Sequence, residues 1–243
     1  MIKPVICTNS LKIIFTTSDL KSTMCGRYTL TKSIKTIKKH FEPIIVSCKH
    51  NERYNISPGQ NSPIVTMKND QQELRSMRWG LIPQWIKDLK TAKPLINARS
   101  ETVHQKPSFK DSFHNSRCLI PADGFIEWKI HGKEKFPYYI FLHQKNIFSF
   151  AGIWAKWDKE NRPIHTYSII TTQANIKLAP IHQRMPVIIK SSDYKLWLTP
   201  QTNSKILHSL LMPFSSIKMS TYQVSKNINS YKNDSHDLLN PIN

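Results

Sequence analysis

The residue types best suited to covalent chemistry begin at Met24-Cys25-Gly26-Arg27-Tyr28. If Met24 opens the mature chain, its removal leaves Cys25 with a free amine and a thiol on adjacent carbons. Such a 1,2-aminothiol condenses with an aldehyde first to a Schiff base and then to a closed thiazolidine ring, which no internal cysteine can form. The amine and the thiol have ordinary pKa values of about 8 and about 8.5, so each is partly nucleophilic near neutrality. As a bare triplet, Met-Cys-Gly is a weak signal and usually marks a small buried thiol beside a tight turn.

Three further polar residues sit in apolar surroundings. Glu127, between Ile126 and Trp128, falls in a strand-like run. On the solvent face of that strand it is unremarkable, whereas buried against tryptophan its pKa would rise into a range suited to proton transfer. His182 lies in Pro180-Ile181-His182-Gln183-Arg184-Met185-Pro186, a segment stiffened by two prolines; it is either an acid/base group or a structural histidine. Asn97 follows Leu95-Ile96 and by itself reads as a helix cap. Arg27, Arg99 and Arg184 each stand within two residues of Cys25, Asn97 or His182, where a guanidinium can fork onto phosphate oxygens. Trp79 and Trp85 bracket a Gly-Pro loop and either stack on unpaired bases or pack into the core.

The elements that must position these residues follow from periodicity. Apolar Ile34, Ile37 and Phe41 at helical spacing predict a helix over 31–40, stopped by Pro43. Arg53 to Gln60 reads as a turn-rich loop. Ser62–Met67 and Glu73–Trp79 read as a hairpin around Asn69-Asp70. Asn97–Thr102 is expected to open a helix and to be followed by a basic loop. Strand-like runs at 117–120, 125–130, 138–142, 147–154, 165–171 and 187–190 predict a dense antiparallel meander. Short helices are expected at 174–178, 192–198 and 205–211, and a polar tail whose Leu238-Leu239 returns to the body. The expectation is an α+β fold in a single domain over 24–243, preceded by an extension over 1–23 that is either an upstream start or a removed leader.

The chain carries 35 Lys plus Arg against 16 Asp plus Glu, a net charge of +19. Little of it lies in 1–23 or in the last thirty-odd residues, so the folded body is basic and nucleic acid is the favoured partner. The absence of a long apolar run or lipidation motif argues against a membrane. Four cysteines without CxxC spacing argue against a zinc site or a disulfide framework and for a reducing, cytoplasmic setting. No Walker loop, HExxH, GxSxG or Rossmann fingerprint is present, so no metal or cofactor is expected.

Taken together and in order, Met-Cys-Gly-Arg-Tyr, RYNISPGQ, RWGLIPQW, INARSET, RCLIPADGFIEW, FAGIWAKW, SIITTQAN and IHQRMPVII resemble the SOS-response-associated peptidase (SRAP) family of abasic-site-processing proteins. The resemblance implies a mixed, mostly antiparallel sheet curled into a partial barrel with flanking helices. It implies binding, as a monomer, of single-stranded DNA containing an abasic site, and a covalent link through the exposed cysteine, with lyase and self-processing peptidase activity alongside. By matching motif positions it implies Cys25 as nucleophile, Asn97 as its positioning partner, Glu127 as the residue assisting sugar ring opening, and His182 as the acid/base for the Schiff-base steps. It further implies Arg27, Arg99 and Arg184 as a phosphate clamp, with Trp79 and Pro58 as base-wedging residues. Two other readings use the same residues: a cysteine peptidase or amidohydrolase built on Cys25 and His182, and a non-catalytic single-strand binder.

Overall fold

The computed structural model describes residues 26–158 and 163–242; the expected 1–23 extension, Met24 and Cys25 lie outside the described residues. Strand β1 (Arg27–Leu30) leads into helix α1 (Ile34–Phe41), then β2 (Ile44–Val46), β3 (Arg53–Ile56), β4 (Asn61–Lys68), β5 (Gln71–Trp79) and β6 (Asn97–Arg99). Helix α2 (Pro107–Asn115) precedes the long strands β7 (Arg117–Ala122), β8 (Gly124–His131), β9 (Glu134–Leu142), β10 (Phe148–Trp157) and β11 (Ile164–Gln173). Short strands β12 (Arg184–Pro186) and β13 (Ile188–Ile189), helices α3 (Tyr194–Leu198) and α4 (Ser204–Ser209), and β14 (Met219–Gln223) follow.

The strands form two sheets, one ordered β14-β9-β8-β1-β3 and the other β12-β11-β10-β7-β4-β5-β2. In the second sheet β5 also pairs with β11 in parallel, Tyr167 opposite Trp79. The ring β4-β5-β11-β10-β7 therefore closes on itself, which removes its edges. The expected α+β architecture is observed, and the barrel is complete where a partial one was expected.

Several elements form where the sequence places them. Ser33 caps α1 by accepting from the Thr36 N–H, so the helix starts three residues later than its apolar pattern suggests. Asn69 and Asp70 both take positive φ, 47° and 59°, the conformation a two-residue hairpin turn requires. Other expectations are corrected. Arg53–Ile56 is a strand paired with β1, and only Ser57–Gln60 is a turn. The expected basic loop contains α2, which starts with Pro107 as its first residue. The expected helix at 174–178 is a run of turns. The long strands do not make one meander, because β9 pairs with β8 and β14 while β10 pairs with β7 and β11.

Where the chain passes from β7 in the barrel to β8 in the five-stranded sheet, only Asp123 intervenes. Its buried carboxylate accepts from Thr29 Oγ1 (2.5 Å), the Thr31 N–H (2.7 Å) and Thr31 Oγ1 (2.6 Å). The next residue must be glycine, since a Cβ on Gly124 would lie 2.2 Å from the Tyr139 ring.

The C-terminal segment is held by polar contacts as much as by Leu238, which packs with Ile126, Phe141 and Ile228. Fully buried Asn55 spreads its amide N–H groups over the carbonyls of Ile228, Ser230 and Asn233 (3.1, 3.0 and 2.8 Å). Its Oδ1 accepts from Arg27 (3.0 Å). Asp234 accepts from the Arg53 guanidinium and from the N–H groups of Tyr54 (2.6 Å) and Asn55 (3.0 Å). Truncating Asn55 leaves several buried partners unsatisfied, at about 1–3 kcal/mol each. Asn55→Ala is therefore expected to lower unfolding free energy by about 3 kcal/mol in urea melts and to speed amide exchange across 226–240. Exchange there at the native rate would show that the clasp does not hold the segment.

Candidate functional site

Strand β11 organises the polar residues. Near its C-terminal end β6 runs parallel to it, Asn97 opposite Ile169 and Arg99 opposite Thr171. On the same stretch β12 runs antiparallel, Arg184 opposite Gln173 and Pro186 opposite Thr171. The Thr171 carbonyl accepts both the Ser100 N–H (2.8 Å) and the Arg184 guanidinium (2.6 Å). Two distant stretches, 97–101 and 182–186, are thereby tied to one carbonyl. Asn97 opens a strand and is not a helix cap, because pairing with β11 takes the backbone groups that a helix would use.

His182 ends the turns that follow β11, its N–H donating to the Leu178 carbonyl (2.9 Å). Its Nδ1 lies 3.1 Å from the Arg184 N–H and 3.2 Å from the Arg184 carbonyl. A neutral ring protonated on Nε2 accepts the first contact, and a ring protonated on Nδ1 donates to the second. The imidazole can thus move its proton between nitrogens and keep a backbone partner throughout, as a proton-transfer group needs.

Glu127 occupies β8 in the other sheet and is 2% exposed, so the solvent-face alternative is excluded. Its strand neighbours are Tyr138 of β9 on one side and β1 on the other, where Arg27 stands opposite Ile126. One step further along that ladder are Gly26 and Glu127. The chain entering β1, directly after Cys25, therefore runs beside a buried carboxyl group.

The three arginines differ in how they are engaged. Arg99 is exposed. Arg184 makes a forked ion pair with Glu101, Nη1 to Oε1 at 2.5 Å and Nη2 to Oε2 at 2.9 Å, and that bond holds the Glu101 carboxyl below its ordinary pKa. Arg27 donates to the carbonyls of Ile228 (2.6 Å) and Asn229 (3.0 Å) as well as to Asn55, so its guanidinium binds the C-terminal segment to β1. Burial lowers its pKa.

Trp79 is corrected. It is 0% exposed, edge-on to Tyr28 (5.2 Å between centroids) and stacked on Tyr167 (6.3 Å), so its ring cannot enter a base stack. Its indole N–H donates to the Ile96 carbonyl (2.9 Å), which fixes the residue before Asn97. Trp79 is a positioning residue for β6. The exposed tryptophan is Trp85, at 54%. Pro58 is partly exposed on the turn Ser57–Gln60, where Gly59 has φ 85° and the Gln60 N–H returns to the Ser57 carbonyl (3.2 Å), a type II turn. The Gly59 N–H bonds the Trp79 carbonyl (2.8 Å), so Pro58 is seated on the strand end that Trp79 anchors. Glu101, Thr171 and Asn55 are the residues that the sequence reading gave no role. Glu101 stood inside the INARSET motif, and the Arg184 pairing is a tertiary contact that no spacing reveals.

Among the described residues no group of three or more His, Cys, Asp or Glu side chains is placed to hold a metal ion. No helix among them is long and apolar enough to cross a membrane.

A closed barrel with a five-stranded sheet against it is an architecture shared with solved proteins. A crystal structure of a protein from Bacteroides thetaiotaomicron matches with a TM-score of 0.79 at 29% identity, covering 90% of this chain and 100% of that one. The chain belongs to the SOS response associated peptidase (SRAP) family, whose model matches residues 24–231. It is 43% identical over 223 residues to the abasic site processing protein YoqW of Bacillus subtilis (strain 168), covering 89% of this chain and 99% of that protein. It is 31% identical over 228 residues to the abasic site processing protein HMCES of Gallus gallus, covering 80% of this chain and 67% of that protein.

Positioning by Trp79 has its own signature. Trp79→Phe keeps most of the ring contacts and deletes one buried N–H donor, so a loss of about 1–2 kcal/mol is expected. Hydrogen exchange should accelerate selectively at Ile96–Arg99, and a uniform change across the barrel would instead assign Trp79 to packing alone.

Proposed function

We propose that this chain processes abasic sites in single-stranded DNA by trapping the ring-opened sugar aldehyde covalently on Cys25. The observation that carries the reading is the buried carboxyl of Glu127 beside the chain that enters β1, in a protein whose relatives bear the name abasic site processing protein. The family match starting at residue 24 supports a mature chain over 24–243 that begins, once Met24 is removed, at Cys25.

In this reading the N-terminal amine adds to the aldehyde carbon and water leaves, giving a Schiff base. The Cys25 sulfur then adds to the C=N carbon and the nitrogen takes up a proton, closing the thiazolidine. Glu127 moves the proton that opens the sugar hemiacetal, and His182, able to carry a proton on either nitrogen, serves the addition and loss of water. Asn97 orients the thiol. Holding the minor aldehyde form against the amine supplies most of the rate. β-Elimination from the Schiff base gives strand cleavage as a side reaction, and removal of the residues before Cys25 is the peptidase step.

For the DNA itself, exposed Arg99 takes a phosphate directly. Arg184 offers the same forked geometry once Glu101 yields to a phosphate, and Arg27 keeps the C-terminal segment against the site. Trp85, not Trp79, is the stacking residue. Truncating it as Trp85→Ala is expected to weaken single-strand binding by about 1–3 kcal/mol in anisotropy titrations while leaving thermal stability unchanged.

The decisive experiment mixes the purified protein with a single-stranded oligonucleotide bearing one abasic site. A denaturation-resistant gel shift is expected. It should vanish with Cys25→Ala and with a reduced sugar lacking the aldehyde, and slow by about 100-fold with Glu127→Gln while noncovalent binding persists. A shift that survives Cys25→Ala overturns the reading, and peptide cleavage without any shift would transfer Cys25 and His182 to a peptidase role.

A further inference from the structure

A cleft of about 680 Å³ opens away from these residues, between α1, the β9–β10 connection, the β13–α3 junction and the segment before β14. It shares no lining residue with the site described above. Tyr138, opposite Glu127, and Leu142, at the cleft, are four residues apart on β9, about 13 Å along a strand. A ligand seated there leaves the Glu127 end of the sheet free.

The chemistry of the cleft is specific. Its floor is apolar, with Ile147, Ile188 and Ile189 beside the buried Phe148 and Tyr194 and the half-buried Phe214, and its lip carries Ile217, 78% exposed. Its rim carries Lys32, Lys190 and Lys218, and none of the described residues lining it is an aspartate or glutamate. None of the three lysines forms an ion pair among the described residues. The volume falls within the range of about 300–1,000 Å³ typical of ligand sites.

We infer that this cleft is a docking site for an acidic peptide segment of a partner protein, with one or two aliphatic side chains inserted on the floor and flanking carboxylates on the lysine rim. Charge complementarity selects an anion, and the floor decides which kind. Single-stranded nucleic acid is gripped by exposed aromatic faces and by guanidinium forks on phosphate. None of the phenylalanine and tyrosine side chains lining the cleft is exposed, and the strong cations of its rim are all lysines, point charges that suit carboxylates.

The inference stands independently of the function proposed for Cys25 and is tested on the full chain. The probe is a fluorescein-labelled peptide of alternating aspartate and leucine, followed by anisotropy, with an aspartate–glycine peptide of equal charge as control. The aspartate–leucine peptide is expected to bind, and the control to bind at least about tenfold more weakly. Lys190→Glu combined with Lys218→Glu, both exposed and expected to keep the native melting temperature, should weaken binding at least about tenfold. Ile217→Ser should weaken it about threefold by removing an apolar contact. Covalent capture of an abasic oligonucleotide should be unchanged in both variants. Equal binding of the two peptides, or unchanged affinity in the double lysine variant, overturns the inference. Displacement of the peptide by oligothymidine would reassign the cleft to nucleic acid.

Discussion

The Tyr28 and Tyr167 hydroxyls share one buried hydrogen bond of 2.8 Å, and the arrangement of the site depends on it. Tyr28 belongs to β1 of the outer sheet and Tyr167 to β11 of the barrel, so the bond crosses between the two layers. Trp79 fills the space between them, touching both rings and reaching the Ile96 carbonyl with its N–H. One aromatic cluster thereby sets the start of β1, which Cys25 precedes in the sequence, relative to β6, which carries Asn97. Burial pushes the Tyr28 phenol up to about 12 and raises that of Tyr167 well above its ordinary value, so the bond stays neutral on both sides across physiological pH.

Around that cluster, polar groups are buried only where they set the position of a segment. Asp123 fixes β1 against the β7–β8 corner, Asn55 clasps the C-terminal segment, and the Thr171 carbonyl joins 97–101 to 182–186. An unsatisfied buried polar group costs as much as a hydrogen bond is worth, so each such group permits one local arrangement and penalises the others. The proposed site draws on four separate parts of the chain and needs this kind of constraint, because apolar packing alone tolerates shifts of the size that would misalign a proton donor.

What could be read from the sequence was what local chemistry determines. Asn69-Asp70 specifies a hairpin turn by its φ preference, and Ile34, Ile37 and Phe41 at helical spacing specify an amphipathic helix. The SRAP motifs identified the family. What could not be read was decided by long-range pairing. Arg53–Ile56 carries turn-forming neighbours yet is a strand, because β1 offers it a partner. Asn97–Arg99 carries a helix-opening pattern yet pairs with β11. Residues 174–178 have apolar spacing suited to a helix, but the chain must turn within a few residues to bring His182 back to β12. The fates of Trp79 and Glu127 turned on burial, which depends on the far side of the fold; the tryptophan expected to meet bases lies in the core, and the carboxylate that might have faced water does not.

The charge distribution separates attraction from recognition. A net charge of +19 draws any polyanion to the surface and discriminates among none of them, since that attraction is long-ranged and screened by salt. Two of the arginines next to the site are already engaged, Arg184 by the Glu101 carboxylate and Arg27 by carbonyls of the C-terminal segment. A phosphate arriving at Arg184 must therefore replace an existing forked bond, and the net gain is a difference between two similar interactions. Such exchange adds little to undamaged-strand affinity. Selectivity for a damaged strand in the proposed mechanism then falls to the one step an intact sugar cannot take, formation of a bond to an exposed carbonyl carbon. In that proposal a basic surface gathers candidate strands, weakly differentiated contacts let most of them leave, and the chemistry retains the one that carries an aldehyde.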